Sequence, residues 1–157
     1  RAGLGGCDFP AIGTRLAVAR GVPAFERTGT RTRRLAPPRA VRSLDEAVIF
    51  HGGAHWWVAT PYAQGFARLI GSCFLERAYG DCYGYLWLLR GHADAVVDYG
   101  VHPWDMAPLA ALAEATGRVL TDCDGRPSFT SPGAVMAHPA FARLIGRMLT
   151  GSRSARR

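Results

Sequence analysis

Between Arg77 and Asp105 the chain reads RAYGDCYGYLWLLRGHADAVVDYGVHPWD, and three of its carboxylates, Asp81, Asp98 and Asp105, fall at junctions between predicted elements. Acidic side chains beside tight-turn glycines and a Trp-Asp pair, set at strand ends, are a setting for phosphate chemistry. Any one aspartate in the first turn of a helix has a simpler explanation, since it faces unpaired N–H groups and the positive end of the helix dipole. Three grouped at strand ends point further, because open α/β sheets bind ligands in the crevice beyond the carboxyl ends of their strands.

The elements that must position these groups follow from periodicity. Phe74 to Tyr79 reads as a short strand, Asp81 to Leu89 as an apolar helical run, and Ala93 to Val97 as a second strand closed by Asp98. Asp81 follows Gly80 where a helix would begin, and Asp105 lies in the first turn of a helix opened by Pro103.

Four runs then carry a resemblance: G-D-C-Y-G-Y-L (Gly80 to Leu86), G-H-A-D-A-V-V-D (Gly91 to Asp98), H-P-W-D-M-A (His102 to Ala107) and G-R-V-L-T-D-x-D-G (Gly117 to Gly125). Together they resemble the C-terminal half of the inositol-monophosphatase-like phosphatases, and the G-D-C-Y-G-Y form resembles the histidinol-phosphatase branch. The similarity spans roughly Ser43 to Leu149. It implies that Asp105, in the Trp-Asp motif, is a ligand of a catalytic Mg²⁺. It also implies that Asp98 contacts a hydroxyl or amine of a small phosphate monoester and that Gly80, Asp81 and Cys82 line the substrate. Arg77 matches a basic position of the same segment, although a strand arginine paired with a nearby acid accounts for it as simply.

The family chemistry explains the residue types. A phosphate monoester repels hydroxide, and carboxylate-held Mg²⁺ generates the nucleophile and neutralises the leaving oxygen. Mg²⁺ takes oxygen ligands in near-octahedral geometry, which one aspartate cannot supply. The resemblance places the other ligands on a helix glutamate and a D-P-[IL]-D-G-T loop, and neither occurs in these residues. The chain begins at Arg1 rather than Met, which fits a fragment, a processed chain or a trimmed one. The expectation is a half-present centre, inactive alone. The alternatives are an inositol-1-monophosphatase-type enzyme and a non-catalytic interaction domain. Family members commonly dimerise, so a homodimer is implied.

Charge divides the chain. Residues 1–42 hold nine arginines against Asp8 and Glu26, a net of +7, whereas residues 43–157 hold ten arginines and ten acids and are neutral. Residues 1–42 show no sustained period beyond a short apolar run at Leu16 to Ala19, so they read as a basic, irregular segment, loop or disorder. The loss of resemblance from Cys7 to Ala40 suggests a divergent or frame-altered stretch. Residues 43–151 then form the α/β domain, and 152–157 a basic tail. The arginines lack interleaved aromatics beyond Phe9 and Phe25 and match no nucleic-acid-binding signature, which argues against nucleic acid as a partner.

Other chemistries fit less well. Cys7, Cys73, Cys82 and Cys123 show no C-x-x-C spacing and no C-x₅-R phosphate loop, and read as reduced thiols, Cys73 and Cys82 partly buried. His51 and His55 are four apart, but Gly52 and Gly53 between them oppose the helix that would make a zinc pair. His102 either lies near the site or caps a turn. Val119-Leu-Thr-Asp-Cys-Asp-Gly-Arg is similar to the nucleophile strand of haloacid-dehalogenase-type phosphatases, but Arg126 follows the glycine and the chain has no lysine. A turn over Asp122 to Pro127 is the simpler reading. No apolar run approaches the roughly 20 residues that cross a bilayer, and no signal-peptide pattern is present, so no membrane partner and a cytoplasmic location are expected.

The rest alternates: a strand near Ala47 to Phe50, a helix from Pro61 to Ile70, a helix from Asp105 to Thr116 stopped by Gly117, a strand from Ala134 to Ala137 and a helix from Pro139 to Leu149. This order gives a layered α/β sandwich, the C-terminal part of an inositol-monophosphatase-like fold.

Overall fold

The computed structural model describes residues 3–151, and its first layer lies where no regular structure is expected. β1 (Leu4–Phe9), β2 (Thr14–Ala19), β3 (Val22–Thr28) and β4 (Arg31–Arg34) form an antiparallel meander in the order β1-β2-β3-β4. The loop or disorder expected over residues 1–42 is therefore corrected to a sheet over residues 4–34. The alternation is present but short and written in unusual residues. Thr14, Leu16 and Val18 face inwards in β2, and Ala24 and Glu26 in β3, while Arg15 and Arg27 face out. Each hairpin turns on a glycine with positive φ, namely Gly13, Gly21 and Gly29, a conformation that L residues reach only with strain. The basic tail expected over 152–157 lies outside the described residues.

Glu26 shows how this sheet is tied down. Its carboxylate is buried, yet it accepts from Arg33 on β4 at 2.7 Å and from Arg90, which ends α3 (Tyr83–Leu89), at 2.6 Å. Burial raises the Glu26 carboxyl, but the hydrogen bonds and charges of Arg90 and Arg33 outweigh it and hold its pKa below the ordinary glutamate value. β1 lies equally close to α4 (Pro103–Thr116). A Cβ on Gly5 would stand 2.8 Å from Ala111 Cβ and 2.9 Å from the Pro108 carbonyl oxygen, so the strand reaches the helix only without a side chain there.

The second sheet has the order β6-β5-β7-β9-β8. It comprises β5 (Val48–His51), β6 (Leu75–Ala78), β7 (Ala95–Tyr99), β8 (Val119–Thr121) and β9 (Gly133–Ala137). β6 and β7 flank β5 in parallel, and β9 is antiparallel to both β7 and β8. α3 and α4 lie between the two sheets, where Leu86, Leu89, Leu109 and Leu112 share one apolar cluster with Leu16 and Val18. On the far face α1 (His55–Val58), α2 (Ala63–Ser72) and α5 (Pro139–Thr150) bury Trp57, Phe66, Leu69, Phe141 and Ile145 against Ile49, Val97 and Val135. The layered α/β class is as expected, and α3 is buried between the two sheets rather than between a sheet and a helix layer, as its all-round apolarity allows.

Two charged groups fix the connections. Asp94 accepts a bidentate pair from Arg39 at 3.0 and 2.8 Å and the Val48 N–H at 2.8 Å, anchoring the segment that joins the sheets. Arg118 is buried and donates to the carbonyls of Ala36 and Leu88, and burial lowers its pKa to about 10. In the 122–127 segment Asp122 serves a turn, and Asp124 accepts the Tyr62 hydroxyl at 2.9 Å. Asp122 accepts the N–H groups of Asp124 and Arg126, and Thr121 bridges to Pro127. Among the described residues no helix is long and apolar enough to cross a membrane.

Candidate active site

The parallel strands β5, β6 and β7 all end at one edge, and the chain leaves each through residues that face a common cavity of about 460 Å³. β5 delivers Gly52 and Gly53, β6 the Gly80-Asp81-Cys82 turn, β7 Asp98 and Tyr99, and the start of α4 brings His102 and Asp105. All five residues singled out in the sequence, Gly80, Asp81, Cys82, Asp98 and Asp105, thus line the same space. A larger groove of about 660 Å³ runs between the β2–β3 hairpin and the end of α4, with Arg20 and Glu114 as its charged residues. Chemistry decides between them, since the aspartates converge on the smaller one.

Each side chain is placed by a local cause. Asp81 is the one non-glycine residue with positive φ among the described residues, at 51°, a conformation that aspartate tolerates better than most. It is Asp81 rather than Gly80 that makes the sharp turn, and a side chain at Gly80 would meet open space. Asp105 sits one turn into α4 and its Oδ2 accepts the His102 N–H at 3.2 Å, so it also closes the helix start. Asp98 is 9% exposed and accepts the Tyr99 N–H at 2.9 Å. Burial drives its pKa up to about 6. The hydrogen bond from Tyr99 and the nearby His51 oppose the rise, and the charges of Asp81 and Asp105 add to it.

Several contributors are not evident from residue type. Gly52 exists to make room for Asp98, because a Cβ there would overlap the carboxylate. His51 is buried behind it, its Nδ1 at 2.5 Å from the Gly52 carbonyl oxygen and its Nε2 at 2.7 Å from Glu76 Oε2. The signal in the sequence is the Gly-Gly pair directly after a strand. His55 and Trp56 rim the cavity on one side with ring centroids 4.6 Å apart, and Trp56 packs on Gly100. On the other side His102 stacks on Trp104 at 4.6 Å. Arg77 donates to the Glu76 carbonyl rather than to a carboxylate.

The donor set bears directly on Mg²⁺. No group of three His, Cys, Asp or Glu side chains among the described residues is arranged to hold a metal ion. Asp105 offers a carboxylate at the cavity, but an octahedral oxygen shell is not built from these residues alone.

A layered α/β fold with an acidic cavity at the carboxyl ends of its parallel strands defines a small-molecule site of the sheet-crevice type. The profile of the inositol monophosphatase family matches residues 59–152, and the chain belongs to that family. Among curated proteins it is 29% identical to a histidinol-phosphatase of Chlorobaculum parvum over 152 residues, 96% of this chain and 57% of the relative. A histidinol-phosphatase of Streptomyces coelicolor is 29% identical over 136 residues, 86% of this chain and 51% of the relative. The IMPase of Thermotoga maritima superposes with a TM-score of 0.76 at 20% identity, covering 98% of this chain and 57% of that one. The chain thus spans little more than half the length of the curated relatives it matches.

Proposed function

We propose that this chain carries the substrate-facing half of a phosphate monoester hydrolase of the histidinol-phosphatase type. The observation that carries the reading is the convergence of Asp81, Asp98 and Asp105 on one cavity at the ends of three parallel strands. In this reading Asp105 is one oxygen ligand of a catalytic Mg²⁺ whose remaining ligands are not built by the described residues. Asp98 accepts a hydrogen bond from a substrate amine or hydroxyl, and its burial makes that contact strong because water does not compete for it. Asp81 and Cys82 shape the wall beside it. The flat rings of His55, Trp56 and His102 at the rim suit a planar imidazole better than a polyol, which favours histidinol phosphate over inositol phosphate. A soluble cytoplasmic protein of histidine biosynthesis, acting as a homodimer, completes the proposal.

A second reading has its own observation. Among the described residues no three-ligand group is present, which favours a domain that binds but does not hydrolyse by itself. Mg²⁺-dependent phosphate release from histidinol phosphate and from inositol monophosphate, with Asp105→Asn as control, separates the two. Release abolished by the substitution supports the hydrolase and the preferred ester identifies the branch. A folded chain that releases no phosphate from either ester sinks the hydrolase reading for this chain alone.

A further inference from the structure

Behind the cavity lies a buried titratable side chain to which the proposed chemistry gives no task. His51 ends β5 and is 4% exposed. The parallel register pairs Ile49 with Glu76 and His51 with Ala78, so the side chains of His51 and Glu76 stand on one face, diagonally across two strands. Nε2 of the ring is 2.7 Å from Glu76 Oε2, and Nδ1 is 2.5 Å from the Gly52 carbonyl oxygen. The Phe66 ring of α2 stands nearly perpendicular to the imidazole, with centroids 5.2 Å apart.

Both ring nitrogens therefore face an acceptor. A carbonyl oxygen has no hydrogen to give, and neither has an ionised carboxylate. A neutral imidazole carries one N–H, so one of its nitrogens would set a lone pair against an oxygen lone pair at hydrogen-bond distance. In a buried site little water is available to relieve that mismatch. The doubly protonated ring satisfies both contacts. The Glu76 side chain is 44% exposed, and its solvation keeps the proton off the carboxylate and on the ring.

We propose that His51 and Glu76 are a positioning pair for Asp98: the ring is an imidazolium clamped between the Gly52 carbonyl and the Glu76 carboxylate, which fixes the β5 exit and sets a positive charge behind the Asp98 anion. Gly52 is the link. Its carbonyl takes the ring N–H, and its Cα meets Asp98 so closely that a Cβ would overlap the carboxylate. A peptide held by the ring thus holds the surface on which Asp98 packs. The charge acts as well, since Asp98 follows Val97, the strand partner of His51. Burial and the charges of Asp81 and Asp105 favour the neutral Asp98 acid, whereas His51 favours the anion. From β6 Glu76 faces the ring, from β7 Asp98 lies beyond Gly52, and from α2 the ring meets the uncharged Phe66. That the anion receives a substrate amine rests on the function proposed above, whereas the proton on the ring does not.

Long-range ¹H–¹⁵N correlation spectra of the ¹⁵N-labelled 157-residue chain read the ring directly, at about pH 7.5, where an ordinary histidine is neutral. The expected result is that both His51 nitrogens, assigned through the backbone, show the shifts of protonated nitrogen. Glu76→Gln places an amide donor against Nε2, so that ring should keep a proton on Nδ1 alone. The Asp98 carboxyl, followed by ¹³C NMR, should then titrate at higher pH than in the parent, because the positive charge behind it has gone. A purely structural contact would move neither signal. A wild-type ring with a single protonated nitrogen would overturn the proposal, as would an Asp98 titration unchanged in Glu76→Gln. Should Glu76→Gln fail to fold, the wild-type spectrum decides alone. Both measurements are made without substrate or Mg²⁺, so their failure leaves the hydrolase reading to the phosphate-release assay, and a chain that releases no phosphate leaves His51 to these spectra.

Discussion

Asp98 is held as a buried acid at a cost to stability that can be worked out. Its carboxyl is pushed from an ordinary value of 3.8 up to about 6, chiefly by burial. At 1.36 kcal/mol per pKa unit that is about 3 kcal/mol. The folded value lies above the unfolded one, so the contribution from proton binding is fully present below the unfolded pKa and is lost as pH rises through the folded pKa. Asp98→Asn keeps an acceptor for the Tyr99 N–H but removes the charge. It should therefore stabilise the protein at neutral pH by up to about 3 kcal/mol, or roughly 6–12 °C in Tm for a chain of this size, while weakening substrate binding. Urea melts of both proteins at about pH 3.5 and pH 7.5, with the carboxyl resonance of Asp98 followed by NMR, would measure it. The gain should disappear at the lower pH. A variant no more stable than the parent at neutral pH, or one whose gain is equal at both, would refute the assignment of a raised Asp98.

Other substitutions probe other links. Glu26→Gln leaves Arg90 partly buried without its counter-charge and should cost about 3 kcal/mol, seen as an early thermal transition. Because the Glu26 carboxyl is held low, its contribution is present above the unfolded pKa and is lost as pH falls through the folded one, so the parent and variant should converge in acid. Gly52→Ala drives a Cβ into the Asp98 carboxylate and should destabilise by about 1–3 kcal/mol. In an Asp98→Ala background the loss should shrink, and a double-mutant cycle without coupling would exclude that contact. Asp81→Ala should cost about 1 kcal/mol more than Asp81→Gly in chemical denaturation, because alanine gains nothing in the left-handed conformation that glycine adopts freely.

What was legible in the sequence was whatever local periodicity and residue chemistry encode. α4 begins at Pro103 and ends at Gly117 in the left-handed conformation, as the Pro-start, Gly-stop pattern requires. The amphipathic face of α5, with Phe141 and Ile145 buried, was visible for the same reason. Asp122 was readable as a turn residue because its side chain satisfies backbone N–H groups only two and four residues away. The first sheet was not legible. Its strands are short, their inward positions mix Leu16 and Val18 with Thr14, Ala24 and Glu26, and composition suggested disorder. Glu26 is one of only two acids in the basic run of residues 1–42, yet it is the buried group that joins β3, β4 and α3.

The sequence by itself determined the residue types of the cavity and the elements that carry them, since a helix cap, a strand end and a Gly-Asp turn are set by neighbours in the chain. Only the tertiary structure decided which of those groups meet. Parallel pairing of β5 with β6 and β7 brings Gly52, Asp81 and Asp98 to one edge, and packing of β1 on α4 sets Gly5 against Pro108 and Ala111. The raised pKa of Asp98 belongs to the same level. An aspartate is an ordinary acid until neighbouring layers remove its water and place two other carboxylates nearby, and no property of residue 98 in the isolated chain carries that information.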